Sequence, residues 1–123
     1  MRLNELDEEF GDDMQFLCVY IREAHATDDQ VPRNLHEGLV YDQPETADER
    51  ADIAAVCMMR YNFSFPMMLD GMDNDAEQKY QSWPDRMYLI GADGKVAYQG
   101  GMGPFYFNVD EFAGAIRTHL AAV

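Results

Sequence analysis

The stretch YQSWPDRMYLIGADGKVAYQGGMGPFYF, Tyr80 to Phe107, decides how the rest of the chain is read. Met87 to Ile90 and Val96 to Tyr98 are short apolar runs joined by Gly91 to Lys95. Asp93-Gly94 between two such runs predicts an antiparallel hairpin, because aspartate and glycine tolerate the left-handed backbone that a tight turn needs. Trp83-Pro84 stands directly before the first run. A proline at a strand entrance is where a cis peptide is tolerated, since the tertiary amide has only a weak trans preference. The stretch therefore predicts a hairpin entered through a cis Trp83–Pro84 bond, the alternative being an ordinary strand-entry proline.

On the C-terminal side, Gly100-Gly101-Met102-Gly103-Pro104 reads as a loop, and Asn108 to Glu111 caps a last helix with Phe112, Ile116, His119 and Leu120 on one face. Upstream, Phe65 to Asp70 reads as a short buried strand, Gly71 to Asn74 as a turn, and Glu77 to Ser82 as a short helix. Thr46-Ala47-Asp48-Glu49 is a capping box opening a helix whose apolar stripe is Ile53, Val56, Cys57 and Tyr61. Phe16 to Ile21 is a continuous apolar run, as for a parallel strand covered on both faces. Leu3, Leu6 and Phe10 have helical spacing, with Gly11 as the stop.

Arg22-Glu23-Ala24-His25 follows the Phe16–Ile21 run and leads into a long polar stretch ending at Pro44. In open α/β sheets ligands bind beyond the carboxyl ends of strands, and this is such an end. Glu23 and His25, two apart on an extended segment, point the same way and can share a proton or polarise one substrate. The plainer alternative is a solvated surface pair. His119, near the end of its helix, is read as structural.

The 123 residues make one domain, 1–123, and 47% hydrophobic residues place it far from disordered chains. A net charge of −14 repels phosphate backbones and anionic lipid, so neither nucleic acid nor a membrane surface is expected as a partner. The chain start has charges and no signal-length apolar run, which gives a cytoplasmic expectation. Cys18 and Cys57 are the only cysteines and no Cys/His cluster has zinc spacing, so no metal is expected. Both cysteines are expected to be buried, Cys18 in its strand and Cys57 on the inner face of the helix after Thr46. The nine methionines read as core filling rather than as thioether ligands.

The element order is helix, strand, long loop, helix, strand, short helix, strand, hairpin turn, strand, helix. It resembles the α/β thioredoxin-like fold of the peroxiredoxin type, a three-layer fold around a mixed sheet, entered one strand late. Val19 to His25, Asp48-Glu49-Arg50, Met72-Asp73-Asn74 with Tyr80, Trp83 to Tyr88, and Gly100 to Phe105 together resemble the iodothyronine deiodinase family, its bacterial deiodinase-like members especially. The resemblance covers nearly the whole chain. It implies a thiol- or selenol-type oxidoreductase that takes iodine from an aromatic ring, with an external thiol reductant and no cofactor. It also implies a catalytic pair, His25 as proton donor or halogen-polarising group with Glu23 as its partner. The substrate groove it implies is built from Trp83, Pro84, Gly101 and Gly103.

Three departures stand beside the matches. The family's nucleophile loop, ahead of its first helix, has no counterpart here; a second histidine near Pro44 is absent; and Met102 stands where the vertebrate enzymes have a basic residue. Two functions follow. One is a deiodinase-like oxidoreductase, acting on a small-molecule or thiol substrate, whose nucleophile and first central strand lie outside this sequence. The other is a non-catalytic thioredoxin-fold module that binds a partner through the same groove. A third idea makes Cys18 the nucleophile, against which stands its place inside a strand. The absent central strand would leave edges open between Phe16–Ile21 and Met87–Ile90, to be closed by direct pairing or by a second copy, and a homodimer is expected.

Overall fold

The computed structural model describes residues 2–22, 43–103 and 105–122. Leu6 and Phe10 form the buried stripe of helix α1, Arg2–Phe10. The chain then enters strand β1, Cys18–Tyr20. Helix α2, Ala47–Tyr61, starts where Thr46 accepts a hydrogen bond from the Glu49 amide at 3.1 Å. It ends at Asn62, whose left-handed φ of 50° lets its amide reach the Met58 carbonyl. Strand β2 is Met67–Leu69, helix α3 is Asp75–Tyr80, and the hairpin is β3, Tyr88–Ile90, with β4, Val96–Gln99. Helix α4, Val109–Ala122, closes the order, with the Glu111 amide donating to Asn108 Oδ1 at 3.0 Å.

The architecture is mixed α/β, with a parallel ladder β1–β2 and an antiparallel ladder β3–β4. In the first, Cys18, Val19 and Tyr20 stand opposite Met67, Met68 and Leu69. In the second, a register shift at Leu89/Ile90 and Gly94 at φ 80° turn the hairpin as Asp93-Gly94 predicts. The Trp83–Pro84 peptide bond is cis.

The hairpin builds on one apolar cluster, which the chain entering β1 reaches through Phe16. Leu6, Phe10, Met87, Leu89, Phe112, Ala113 and Ile116 form it, and Phe16 just ahead of β1 packs against it. Leu6, Ala113 and Ile116 are fully buried, so helices α1 and α4 cover the hairpin's Met87/Leu89 face. Tyr98 packs on Phe112 and donates to Glu111 at 2.7 Å; burial, then that carboxylate, pushes its phenol up to about 12.

Four expectations are corrected. The single mixed sheet is, among the described residues, two separate ladders, and β1 and β3 have not closed onto one another. The run Phe16–Ile21 shortens to a three-residue strand and is not covered on both faces, since Leu17 is 51% and Val19 44% exposed. Met68 opposite Val19 is exposed as well, so β2 is not a buried strand and the ladder has one open apolar face. The buried stripe of α2 is Arg50 and Ala54, whereas Val56 and Tyr61 face solvent. Half-buried Ile53 and Cys57 share a face with Arg50 and Ala54, so a buried arginine joins the apolar stripe and turns it from the Val56 side.

Candidate functional site

Arg50 is 3% exposed. A buried guanidinium needs acceptors for its donors, and it takes backbone carbonyls from the β2–α3 turn. It donates to the Gly71 carbonyl at 2.9 Å, the Asp70 carbonyl at 3.4 Å and Asn74 Oδ1 at 3.0 Å. Asn74 is the N-cap residue of α3, but its side-chain oxygen is engaged by Arg50 and does not cap. The buried Asp70 carboxylate caps α3 in its place, accepting from the Ala76 amide at 2.9 Å and the Glu77 amide at 3.0 Å.

That cap fixes Glu77, which is 8% exposed and pairs with Arg22 Nη2 at 3.3 Å. Arg22 also lies over the Trp83 ring, 4.8 Å from its centroid. The carboxyl end of β1, the start of α3 and the Trp83–Pro84 loop are thereby held together. Gly103 packs on the residue after Pro84: its amide donates to the Asp85 carbonyl at 3.0 Å, and a Cβ on buried Gly103 would run into the Asp85 carboxylate. A Cβ on Gly101 would collide with Tyr106. Glu23 and His25 lie outside the described residues; Arg22, the residue before Glu23, is the one that touches Trp83.

Among the described residues, four buried donors have no acceptor: the Nε atoms of Arg22, Arg50 and Arg86, and Trp83 Nε1. Each such group costs about 1–3 kcal/mol. Sequence reading missed the role of Arg50, Asp70, Glu77 and Arg22, because long-range pairing of charges leaves no local periodicity. The motif Asp48-Glu49-Arg50, noted only for the family resemblance, was the available signal. Among the described residues no group of three or more His, Cys, Asp or Glu is arranged to hold a metal. A shallow recess lined by Asp7, Asp12, Asp13, Phe16 and Phe65 lies at the opposite end of β1 and has no part in this cluster.

Cys18 and Cys57 are both half-buried rather than fully buried, and no disulfide joins them. Burial, and after it the neighbouring Cys57, pushes the Cys18 thiol up.

These features define a mixed α/β domain with a charge-braced loop at the carboxyl end of its parallel ladder. A family model described as iodothyronine deiodinase matches residues 2–120. The chain is 35% identical to type I iodothyronine deiodinase of Xenopus laevis over 93% of its length and 43% of the relative's. It is 34% identical to type II iodothyronine deiodinase of Sus scrofa, over 88% of this chain and 41% of that one. Thyroxine 5-deiodinase of Gallus gallus is 34% identical, over 94% and 42%. The chain belongs to the iodothyronine deiodinase family, and spans 41–43% of the length of these relatives.

Two outcomes follow from the site. Arg50→Met strands the Gly71 and Asn74 acceptors and lowers the unfolding free energy by about 2–4 kcal/mol in urea denaturation; a change under about 0.5 kcal/mol would show that the network contributes nothing. Thiolate, not thiol, reacts with a disulfide reagent, so Cys18 labels more slowly than free cysteine at pH 7. Its rate keeps rising with pH beyond about 8.5, where free cysteine is half ionised. Labelling as fast as free cysteine would contradict the raised thiol.

Proposed function

We propose that residues 1–123 form the substrate-groove portion of a deiodinase-like thiol or selenol oxidoreductase with a thioredoxin-like arrangement. The observation that carries this is the Arg22 contact to Trp83, which brings the segment leading to Glu23 and His25 against the loop expected to line the groove. In this reading the attacking sulfur or selenium is not Cys18, which sits within β1 and whose thiol burial pushes up. It comes from sequence outside these residues.

In the reaction the aryl carbon–iodine bond breaks, the nucleophile takes the iodine, and the ring carbon takes a proton from His25. Two equivalents of external thiol then release iodide, restore the nucleophile and leave as a disulfide. An imidazole titrating near neutral pH suits the donor, with Glu23 orienting it. The substrate is a small halogenated aromatic, no cofactor takes part, and the setting is cytoplasmic. Among the described residues no helix is long and apolar enough to cross a membrane.

The test is thiol-dependent iodide release from a diiodinated phenol, using the open reading frame extended upstream of Met1. Turnover that falls about 10²-fold or more in His25→Ala supports the reading. No thiol-dependent release from that product defeats it and favours the non-catalytic binding module, which needs the groove but no nucleophile.

The homodimer belongs to the same proposal. In β1 the Cys18 amide and Tyr20 carbonyl pair toward β2, so the backbone groups of Val19 point the other way; in β3 the Met87 carbonyl and Gly91 amide pair toward β4, leaving those of Tyr88 and Ile90. A second copy would satisfy these edges. With −14 on each chain, association strengthens with salt. Sedimentation at micromolar concentration should show dimer at high salt, and a monomer at every salt concentration rules it out.

A further inference from the structure

Neither cysteine takes part in the chemistry proposed above, yet the fold brings the two together. Helix α2 ends at Tyr61 and β2 begins at Met67, so a short link makes the two run antiparallel, with α2 packed on β2. Arg50 fixes their relative height, because it donates to the Asp70 and Gly71 carbonyls just past the end of β2. Cys57 follows Arg50 by seven positions, or two helical turns, which puts it on the same face and about 10 Å further along the axis. Met67 precedes Asp70 by three positions of extended chain, again about 10 Å. Cys57 therefore lies level with Met67.

Met67 is the register partner of Cys18. Residues directly opposite one another share a face of the ladder, and exposed Val19 and Met68 mark the other face as the open one. Cys18 thus points to the side that α2 covers, in keeping with its half-buried state. Cys57 comes to meet it from the face of α2 that carries Arg50 and Ala54, and is half-buried too. The field of Cys57 adds to burial in raising the Cys18 thiol, an effect that falls off with distance and so places the two sulfurs close. No disulfide joins them.

We infer that Cys18 and Cys57 are a redox-active dithiol, which an external low-molecular-weight disulfide converts into an intramolecular bond tying β1 to α2. One cysteine thiolate attacks the external disulfide, forming a mixed disulfide and expelling the first external thiolate. The second cysteine thiolate then attacks the protein sulfur of that mixed bond, closes Cys18–Cys57 and expels the second. Two protein thiols are oxidised, one external disulfide is reduced to two thiols, and the two cysteine protons pass to the expelled thiolates. The closed bond pins together the strand that leads to Arg22 and the helix that carries Arg50. Excess thiol reopens it, so the pair follows the thiol–disulfide balance around the protein. The inference goes beyond the deiodinase reading and stands apart from it, since no halogenated substrate and no upstream nucleophile takes part.

The experiment equilibrates the protein with mixtures of glutathione and glutathione disulfide at mildly alkaline pH, approached from both the reduced and the oxidised side. Acid quenching and mass spectrometry then count internal bonds, glutathione adducts and linked dimers. The same equilibrium is measured in concentrated urea, where the fold no longer holds the sulfurs together. The expected product is a monomer that has lost two hydrogens, with a Cys18–Cys57 peptide in its digest. Its equilibrium constant against glutathione is expected to be at least about tenfold larger in native buffer than in urea, because the fold raises the effective concentration of one thiol at the other. A native constant equal to or below that in urea overturns the inference, as do glutathione adducts or linked dimers in place of the internal bond. Moving the thiol one position round the helix, with Val56→Cys in a Cys57→Ser background, tests the geometry on an exposed side chain that the fold does not need. That variant is expected to lose the native advantage; if it keeps it, the facing of Cys57 onto Cys18 is refuted.

Discussion

A guanidinium cannot be taken out of water unless its donors are met, and the placement of Arg50 sets much of what surrounds it. Meeting that requirement engages the Gly71 carbonyl and the Asn74 side chain, which deprives α3 of its own N-cap. Asp70 is then drawn inward to cap the helix. A six-residue helix is too short to hold itself in water. Its position is therefore set from below by Arg50 and Asp70, and through Glu77 it sets the position of Arg22. One buried charge in α2 is thereby linked, through four residues, to the loop that carries Trp83.

What was legible in the sequence was what local chemistry determines. Asp93-Gly94 specifies a turn by its backbone preference, Thr46 and Asn108 specify helix starts by reaching their own following amides, and all three appear as read. The Leu6 and Phe10 spacing and the Phe112 and Ile116 spacing locate the core for the same reason: periodicity on one element is enough. The site is different. Arg22 and Glu77 are 55 positions apart, and Arg50 and Asn74 are 24 apart. No pattern in either neighbourhood announces the partner. The reading of α2 held for Ile53 and Cys57 and missed for Val56 and Tyr61, because it left Arg50 out of the stripe, although a buried arginine constrains rotation more sharply than an apolar side chain does. Hydrophobic burial is non-directional, whereas a guanidinium must meet acceptors at fixed angles.

The strands show the complementary limit. An apolar run predicts burial only if something covers it, and the open Val19–Met68 face has no covering element among the described residues. Two-stranded ladders are marginal by themselves. Here each is stabilised from one side, the hairpin by α1 and α4, the parallel ladder by α2. Phe16 at one end of β1 and Arg22 at the other tie the ladders to a common frame without backbone pairing between them.

With 23 acidic side chains in the sequence, some of the described cations find an exposed carboxylate, as Arg2 does at Asp110 and Arg117 at Glu9. Those pairs are exposed and contribute little, about 0–1 kcal/mol each. Arg50 is satisfied mainly by carbonyls, and Arg86 by no described residue. Arg50 thus shapes the architecture through carbonyls and an amide oxygen, while Arg22 does so through the carboxylate of Glu77.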